Sequence, residues 1–231
     1  VDLAELGNRL PQLLRLQDGT TLNSGRIAIR FNTRGGEDQP TRWEGSLETT
    51  TLLGTRNGQT LQWDEPVNAS FSGRLRPDGW PVFDHLECRS DFIGLAARGS
   101  PESYEARANL NLNRLSEHLS EFLDPQRLQG IQLSGTADVT LLAKREATGQ
   151  GQVRGTAELK EFHLNDGQGR QFAEPTLRLE ADARGVLAAD APIRLDEGKL
   201  QLQAGPDSFV IQLQEPIANL RTLKSVSASA E

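Results

Sequence analysis

A histidine, a glutamate and the only cysteine of the chain lie together at residues 85–88 (His-Leu-Glu-Cys), and these residue types could hold a metal ion or form a nucleophile pair. Both kinds of site need further ligands or a base at a defined spacing. The other histidines, His118 and His163, are far away in the sequence. We therefore predict no metal site, and we predict that Cys88 is a buried structural thiol on the strand face of Leu86.

Three carboxylates, Asp84, Glu87 and Asp91, are close enough in sequence to suggest acid–base chemistry. Acidic residues on a strand-rich surface usually face solvent. The three histidines also have three different local sequences, so they do not form a repeated site. We predict that these carboxylates are solvated surface groups rather than a catalytic pair.

Motifs that contain glycine or proline point to turns rather than to chemistry. Ser24-Gly25 and Ser134-Gly135 lack the flanking glycine of a nucleophile elbow. The stretch 149–155 (GQGQVRG) has neither the Lys-Ser/Thr nor the helix pattern of a phosphate-binding loop. Glu65-Pro66 and Glu174-Pro175 precede strand-like runs, where proline removes no ladder hydrogen bond. The sequence thus predicts no catalytic residues, no cofactor and no enzymatic activity.

Charge and hydropathy exclude further classes of function. The 231 residues include 25 basic and 32 acidic side chains, for a formal net charge of −7, and the basic residues form no block. Nucleic-acid-binding domains carry a basic footprint, so no nucleic-acid partner is expected. No apolar run approaches the roughly 18 residues of a membrane-spanning helix. The lack of methionine suggests an excised segment, so any membrane anchor is expected outside it.

The sequence repeats itself at a spacing of about 109 residues. Residues 1–6 are matched by 110–115, and a third start follows at 219–223. Such self-similarity indicates stacked structural repeats. We predict a first module at residues 1–109, a second at 110–218 and the start of a third at 219–231. The other matches occur in the same order: 24–25 with 134–135, 43–48 with 153–158, 63–66 with 172–175, and 100–104 with 205–209.

Each module is predicted to begin with a short helix. Asn111 suits the N-cap position of the second helix, and Pro125 ends it. In the first module Asp2 is the predicted N-cap, and Pro11 shortens the helix. Apolar residues of the second helix recur at three- and four-residue spacing and form one stripe: Leu112, Leu115, Leu119, Phe122 and Leu123.

The remainder of each module alternates with period two, which is typical of half-buried strands. Asn57-Gly58 and Asp166-Gly167 lie between such runs and predict hairpin turns. The segments 74–80 and 183–192 are predicted loops. Nine apolar residues have the same parity within their strands and are expected to share one concave face: Ile27, Ile29, Phe31, Val139, Leu141, Leu177, Leu179, Leu200 and Leu202.

The predicted fold is mainly β with short helices, built from two tandem modules of one helix and five or six antiparallel strands. Three features of the chain are the helix start Asn-Leu-x-x-Leu at Asn111, the Gly/Ser-Pro-x-Ser-aromatic turns and the Ser-Gly strand starts. In these features the chain resembles the AsmA-like proteins of Gram-negative-type bacteria, which are relatives of TamB. The resemblance covers the whole chain and brings no catalytic motif with it.

This resemblance implies a curled antiparallel sheet that forms a long groove with an apolar interior. It implies phospholipid transport or outer-membrane maintenance, with phospholipid acyl chains and neighbouring repeats of the same chain as partners. It also implies a periplasmic location in a protein anchored in the inner membrane.

Two other functions compete with the lipid groove. A passive repeat scaffold or protein-interaction spacer would have a filled core and a large exposed side patch. An enzyme would have a cleft with convergent His, Asp or Glu side chains. An open apolar face that runs through both modules would favour the lipid groove.

Overall fold

The computed structural model describes residues 1–5, 19–36, 39–122, 132–146, 148–166, 168–186, 193–219 and 228–230. Within these residues the chain is mainly β, and every strand pairing is antiparallel. The mainly β, antiparallel fold predicted from the sequence is therefore confirmed. The curl of the sheet and its division into two modules stay predictions.

One α-helix and fifteen strands of the described residues are named here in chain order: β1 (Thr20–Ser24), β2 (Ile27–Gly36), β3 (Gln39–Thr49), β4 (Leu52–Arg56), β5 (Gln59–Trp63), β6 (Asn68–Leu75), β7 (Pro81–Arg89), β8 (Ile93–Ser100), β9 (Ser103–Asn111), α1 (Leu112–Phe122), β10 (Gln132–Arg145), β11 (Gln150–Asn165), β12 (Gln171–Val186), β13 (Arg194–Ala204), β14 (Asp207–Leu213) and β15 (Ala228–Ala230). A helical turn at residues 3–5 precedes them.

Twelve of the strands form one open sheet in the order β2-β3-β6-β7-β8-β9-β10-β11-β12-β13-β14-β15. Neighbours in the sheet are also neighbours along the chain, apart from the excursion of β4 and β5 between β3 and β6. That excursion forms a small sheet of order β1-β4-β5. The hairpin of β4 and β5 has its turn at Asn57 (φ 51°) and Gly58 (φ 83°), as the Asn-Gly pair predicts. β2 and β15 are the two edges of the large sheet.

The small sheet has a compact apolar centre of its own. Leu22 and Leu61 are buried there, and Leu3, Leu52 and Trp63 pack against them. This is the best-packed cluster among the described residues, since a one-layer sheet has no second layer against which to bury side chains. The small sheet and α1 therefore provide most of the local packing at one end of the molecule.

Both predicted N-caps are confirmed. The side chain of Asn111 accepts a hydrogen bond from the backbone N–H of Arg114 at 3.1 Å. The side chain of Asp2 accepts from the N–H groups of residues 4 and 5 at 2.9 and 3.1 Å. Such bonds satisfy N–H groups that the first turn of a helix leaves free. Several predicted helix positions lie outside the described residues or side chains: Pro11, Leu119, Phe122, Leu123 and Pro125.

Two predictions from local sequence are wrong. Residues 183–186 belong to β12 rather than to a loop, while residues 187–192 lie outside the described part of the chain. The matched stretches 100–104 and 205–209 are not structurally equivalent. The first forms the turn after β8 and the second the turn after β13, and these strands run in opposite directions, so the turns lie at opposite ends of the sheet.

Candidate functional site

An unbroken row of apolar side chains crosses the large sheet from β2 to β14. Directly opposite residues of antiparallel strands lie on the same face, so the register of each pair defines this row. It consists of Ile29, Leu47, Ala69, Cys88, Leu95, Ala108, Val139, Ala157, Leu179, Leu202 and Phe209. No charged residue interrupts it. We call the surface that carries this row the apolar face.

A second row runs beside the first, two residues further along each strand. It consists of Phe31, Gly45, Phe71, Leu86, Ala97, Ala106, Leu141, Gly155, Ala181, Leu200 and Ile211. On the other side of the first row, Ile27 and Leu177 have the same parity as Ile29 and Leu179. The structure thus places all nine residues predicted to share a face on the apolar face. Their contact with lipid stays a prediction.

Much of the apolar face is accessible to solvent. Ile29 is 65% exposed and Phe31 60%, both on β2. In the middle and far part of the sheet, Leu141 is 45%, Leu200 37% and Phe209 46% exposed. An apolar surface that stays open over many strands marks a place where a protein contacts another apolar body.

α1 covers one end of this face. The helix packs against β9 and β10 and also touches β5. Leu112 and Ala137 are buried at this contact. Asn113 fixes the helix to the sheet by accepting a hydrogen bond from the N–H of Gly135 at 3.0 Å. The covering layer is local because an eleven-residue helix is only about 16 Å long.

Aromatic side chains fill a part of the apolar face that sequence analysis missed. Trp43 contacts Phe71 and Phe83, with ring centroids 6.0 and 5.2 Å apart, and Phe83 contacts Tyr104 at 6.1 Å. The Tyr104 hydroxyl donates to a backbone oxygen at 2.5 Å, and burial raises the pKa of this tyrosine. Glycines opposite the rings make room: a Cβ on Gly73 would lie under 3.0 Å from the Trp43 ring.

A β-bulge explains why Phe83 was missed. Strict alternation along β7 would put Phe83 and Leu86 on opposite faces. The register of β7 shifts by one residue between Phe83 and Leu86, so both side chains face the same side. The aromatic contacts of Phe83 agree with this placement. The only sequence signal for this placement was a glycine on each neighbouring strand. Gly73 and Gly99 both pair with Phe83.

The opposite face of the sheet is charged and hydrogen-bonded. Arg154 and Asp182 form an ion pair at 2.9 Å, and Lys160 and Glu158 form one at 3.2 Å. A hydrogen bond from Gln152 lowers the pKa of Asp182, and the hydrogen bond to Glu158 raises the pKa of Lys160. These exposed pairs add little stability. They do keep this face in water, so the two faces of one sheet differ in chemistry.

A charged cluster lies at the end of the sheet opposite α1. Glu102 pairs with Arg76 and accepts a hydrogen bond from the Ser100 hydroxyl at 2.6 Å. The Ser100 bond, followed by the Arg76 bond, lowers the pKa of Glu102 from 4.5 to about 2. Nearby, the guanidinium of Arg145 lies 4.8 Å from the centre of the Trp80 ring. These contacts tie together three turns that are separated in sequence.

His118 and Asp91 correct the prediction of solvated carboxylates. The His118 Nε2 atom lies 2.6 Å from Asp91 Oδ2, and the two side chains are only 14% and 15% exposed. Trp63 stacks on the imidazole at 4.6 Å and Phe92 meets it edge-on at 6.1 Å. This cluster joins α1, the β7–β8 turn and β5. It was missed because the residues lie on three separate elements.

Ser70, His85 and Glu87 resemble a catalytic triad in composition but not in geometry. Ser70 Oγ is 3.0 Å and Glu87 Oε2 is 3.6 Å from the same imidazole atom, His85 Nε2. In a triad the carboxylate orients the other ring nitrogen. Next to them, Cys88 is half-buried on the apolar face rather than fully buried, and desolvation raises the pKa of its thiol.

The described residues lack a metal-binding cluster and a membrane-spanning helix. No group of three or more His, Cys, Asp or Glu side chains there could hold a metal ion. No described helix is long and apolar enough to cross a membrane. A cavity of about 330 Å³ beside β8–β10 is lined by both acidic and amide side chains, including Asp91, Asn109 and Asp138. His118 is not part of its lining.

Comparison with protein-family models, curated protein sequences and solved structures returns no match.

Proposed function

We propose that this chain is a non-enzymatic segment of an AsmA-like envelope protein, whose apolar face forms part of a hydrophobic path for phospholipid acyl chains. The observation that carries the proposal is the unbroken apolar row from Ile29 to Phe209, which is exposed at both ends and half-buried between them, while the opposite face is charged. A surface of this kind matches a ligand that is apolar and extended. Phospholipid acyl chains have both properties.

The energetics of acyl-chain burial favour such a surface. Removing one methylene group from water contributes about 0.8 kcal/mol. Ile29, Leu141 and Phe209 already expose large side chains, so a bound acyl chain removes apolar surface from water on both partners. Because the rows carry no charge, a chain can move from one strand to the next without meeting a group that must be desolvated.

A curled sheet would turn this face into a groove. Each strand is rotated relative to its neighbour by roughly 20–25°, always in the same sense, so twist accumulates over a sheet of this width. Small residues on the apolar face, such as Ala106, Gly155 and Ala181, leave space on the concave side. We include the groove-like curl in the proposal on these grounds.

The two-module organisation is supported by the register of the strands. Ile29 pairs with Leu47, and Val139, 110 positions later, pairs with Ala157, which is 110 positions after Leu47. The next pairings, β3 with β6 and β11 with β12, keep the same displacement. Equivalent rows would then continue from one module into the next, as a path for lipid requires.

The remaining parts of the proposal come from the resemblance to the AsmA-like family. They are a periplasmic location, attachment to the inner membrane through segments outside this sequence, a role in phospholipid transport or outer-membrane maintenance, and contact with neighbouring repeats. Each of these is a property of the whole protein. Each is therefore tested in cells rather than on the isolated segment.

A passive repeat scaffold is the second candidate. The observation that favours it is the aromatic cluster of Trp43, Phe71, Phe83 and Tyr104, because these side chains fill part of the apolar face with the protein's own atoms. If other parts of the face are filled in the same way, the sheet would hold no lipid. It would then act as a rigid spacer.

Photo-crosslinking to lipid separates the two candidates. A photoreactive amino acid is placed in turn at Ile29, Leu141, Leu179 and Leu202 on the apolar face, and at Arg30 and Arg154 as controls on the charged face. The variants are expressed in bacteria, and crosslinked phospholipid is identified by mass spectrometry. We expect labelling from the first set alone. Equal labelling of both sets, or no labelling from the first set, would reject the lipid path and favour the passive repeat scaffold.

A further inference from the structure

Two large rings fill the apolar face over β3 and β6. On these neighbouring strands Trp43 pairs with Gly73, and Gly45 pairs with Phe71. Each ring lies over the glycine directly opposite it. A Cβ on Gly45 would lie under 3.0 Å from the Phe71 ring, and a Cβ on Gly73 would lie under 3.0 Å from the Trp43 ring. The protein's own side chains therefore occupy the space that the two glycines leave.

The corresponding positions of β11 and β12 carry no ring. The residues 110 positions later pair in the same register, Val153 with Ala183 and Gly155 with Ala181. The ring of Phe71 is thus replaced by the methyl group of Ala181. A Cβ on Gly155 would have no neighbour closer than 3.6 Å among the described residues. The space that is filled over β3 and β6 is therefore open over β11 and β12.

Two exposed leucines border this open space. Leu141 on β10 lies opposite Gly155, and Leu200 on β13 lies opposite Ala181. Leu141 is 45% and Leu200 37% exposed, and Ala181 is exposed between them. Because β10 and β13 are three strands apart, the backbones of the two leucines are separated by roughly 14 Å. We call this depression, with its leucine walls and its floor of Gly155 and Ala181, the cradle.

The width and the chemistry of the cradle suit an unbranched hydrocarbon. Side chains stand roughly perpendicular to a sheet, so the two leucines narrow the space between their strands. An α-helix with its side chains is about 10–12 Å across, which is too wide to reach the floor between such walls. All four residues of the cradle are apolar, so an occupant meets no charge there. An acyl chain is narrow and uncharged.

We propose that one acyl chain of a phospholipid binds in the cradle, and that the rings of Trp43 and Phe71 close the equivalent site over β3 and β6. This inference rests on the proposed function and narrows it to one part of the apolar face. The acyl chain lies against Gly155 as the Phe71 ring lies against Gly45. The aromatic cluster is then a local closure of the face.

The test measures transfer of a phospholipid with a pyrene-labelled acyl chain to the whole chain, from vesicles of phosphatidylethanolamine and phosphatidylglycerol. Ala181→Phe places a ring opposite Gly155 and fills the cradle without adding charge. We expect this variant to bind the labelled phospholipid at least about tenfold more weakly, because roughly two methylene groups of the lipid then stay in water. Urea unfolding verifies that the variant is folded.

Three further variants complete the test. Ala96→Phe is the matched control, because Ala96 is exposed on the charged face opposite Arg107, and it should leave lipid binding unchanged. Gly155→Val fills the cradle from its floor, where φ is not positive and a Cβ has room, and it decides the question if Ala181→Phe does not fold. Phe71→Ala opens the equivalent site and should increase the amount of lipid bound per chain at saturation.

The outcomes separate this inference from the lipid path as a whole. Lipid binding that is unchanged in folded Ala181→Phe and Gly155→Val would overturn the cradle and leave the lipid path in place. Equal weakening by Ala181→Phe and Ala96→Phe would show that an added ring anywhere on the surface is responsible, which would also overturn it. An unchanged amount of bound lipid in folded Phe71→Ala would refute the closure by the rings. No transfer to the unsubstituted chain would refute the proposed function and the cradle together.

Discussion

Two adjacent leucines on β10 allow a matched test of the lipid path. Leu141 lies in the second apolar row and is 45% exposed, whereas Leu142 faces the charged side and is 38% exposed. Replacing either residue by aspartate adds the same charge, one position apart, at a similarly exposed site. The face that each residue occupies is therefore the main difference between Leu141→Asp and Leu142→Asp.

The expected magnitudes follow from burial. Leu141 has roughly half of its side chain buried, so its loss costs about 1 kcal/mol of folding free energy, and Leu142 costs about the same. An acyl chain that crosses Leu141 contacts about three methylene groups there, worth about 2.4 kcal/mol in all. Since about 1.4 kcal/mol corresponds to a factor of ten, Leu141→Asp weakens phospholipid binding about 50-fold. Leu142→Asp leaves it within about twofold.

The assay measures transfer of a fluorescent phospholipid from vesicles to the protein, with urea unfolding of each variant in parallel. Urea unfolding is needed because a variant that does not fold says nothing about the face. Equal weakening of lipid binding by both variants would show that charge or stability, not the apolar face, is responsible. Unchanged binding in folded Leu141→Asp would refute the lipid path through β10.

Three further predictions concern stability. A Cβ on Gly73 would lie under 3.0 Å from a backbone oxygen, whereas one on Gly36 meets nothing within 4 Å, so Gly73→Ala is expected to cost about 1–3 kcal/mol in urea unfolding and Gly36→Ala very little. The pKa of Glu102 is lowered from 4.5 to about 2, so its contribution to stability is present above pH 4.5 and is lost as the pH falls toward 2. Glu102→Gln should therefore lower the thermal unfolding midpoint at pH 7 but not at pH 2, and an equal change at both would contradict the ion pair. His118→Leu leaves the mostly buried Asp91 carboxylate without its partner and is expected to cost about 1–3 kcal/mol, measured by calorimetry.

Local sequence was sufficient for most of the strands and for the face of each residue in a regular strand. Period-two alternation put Ile29, Val139 and Leu179 on one side, because side chains of a strand alternate whatever its neighbours are. Asn57-Gly58 and the N-cap Asn111 were predictable for a similar reason. Their backbone conformations and hydrogen bonds involve residues only a few positions away.

Long-range pairing decided the features that sequence analysis missed or misjudged. The bulge before Leu86 turned Phe83 to the apolar face, and the fold brought Asp91 to His118 and Trp63 from three separate elements. The similar turns at 100–104 and 205–209 came to lie at opposite ends of the sheet because strand direction depends on the number of strands between them. Alternation within a strand is set by the backbone of that strand, whereas register, direction and side-chain partners depend on which distant strand lies beside it, and only the tertiary structure decides that.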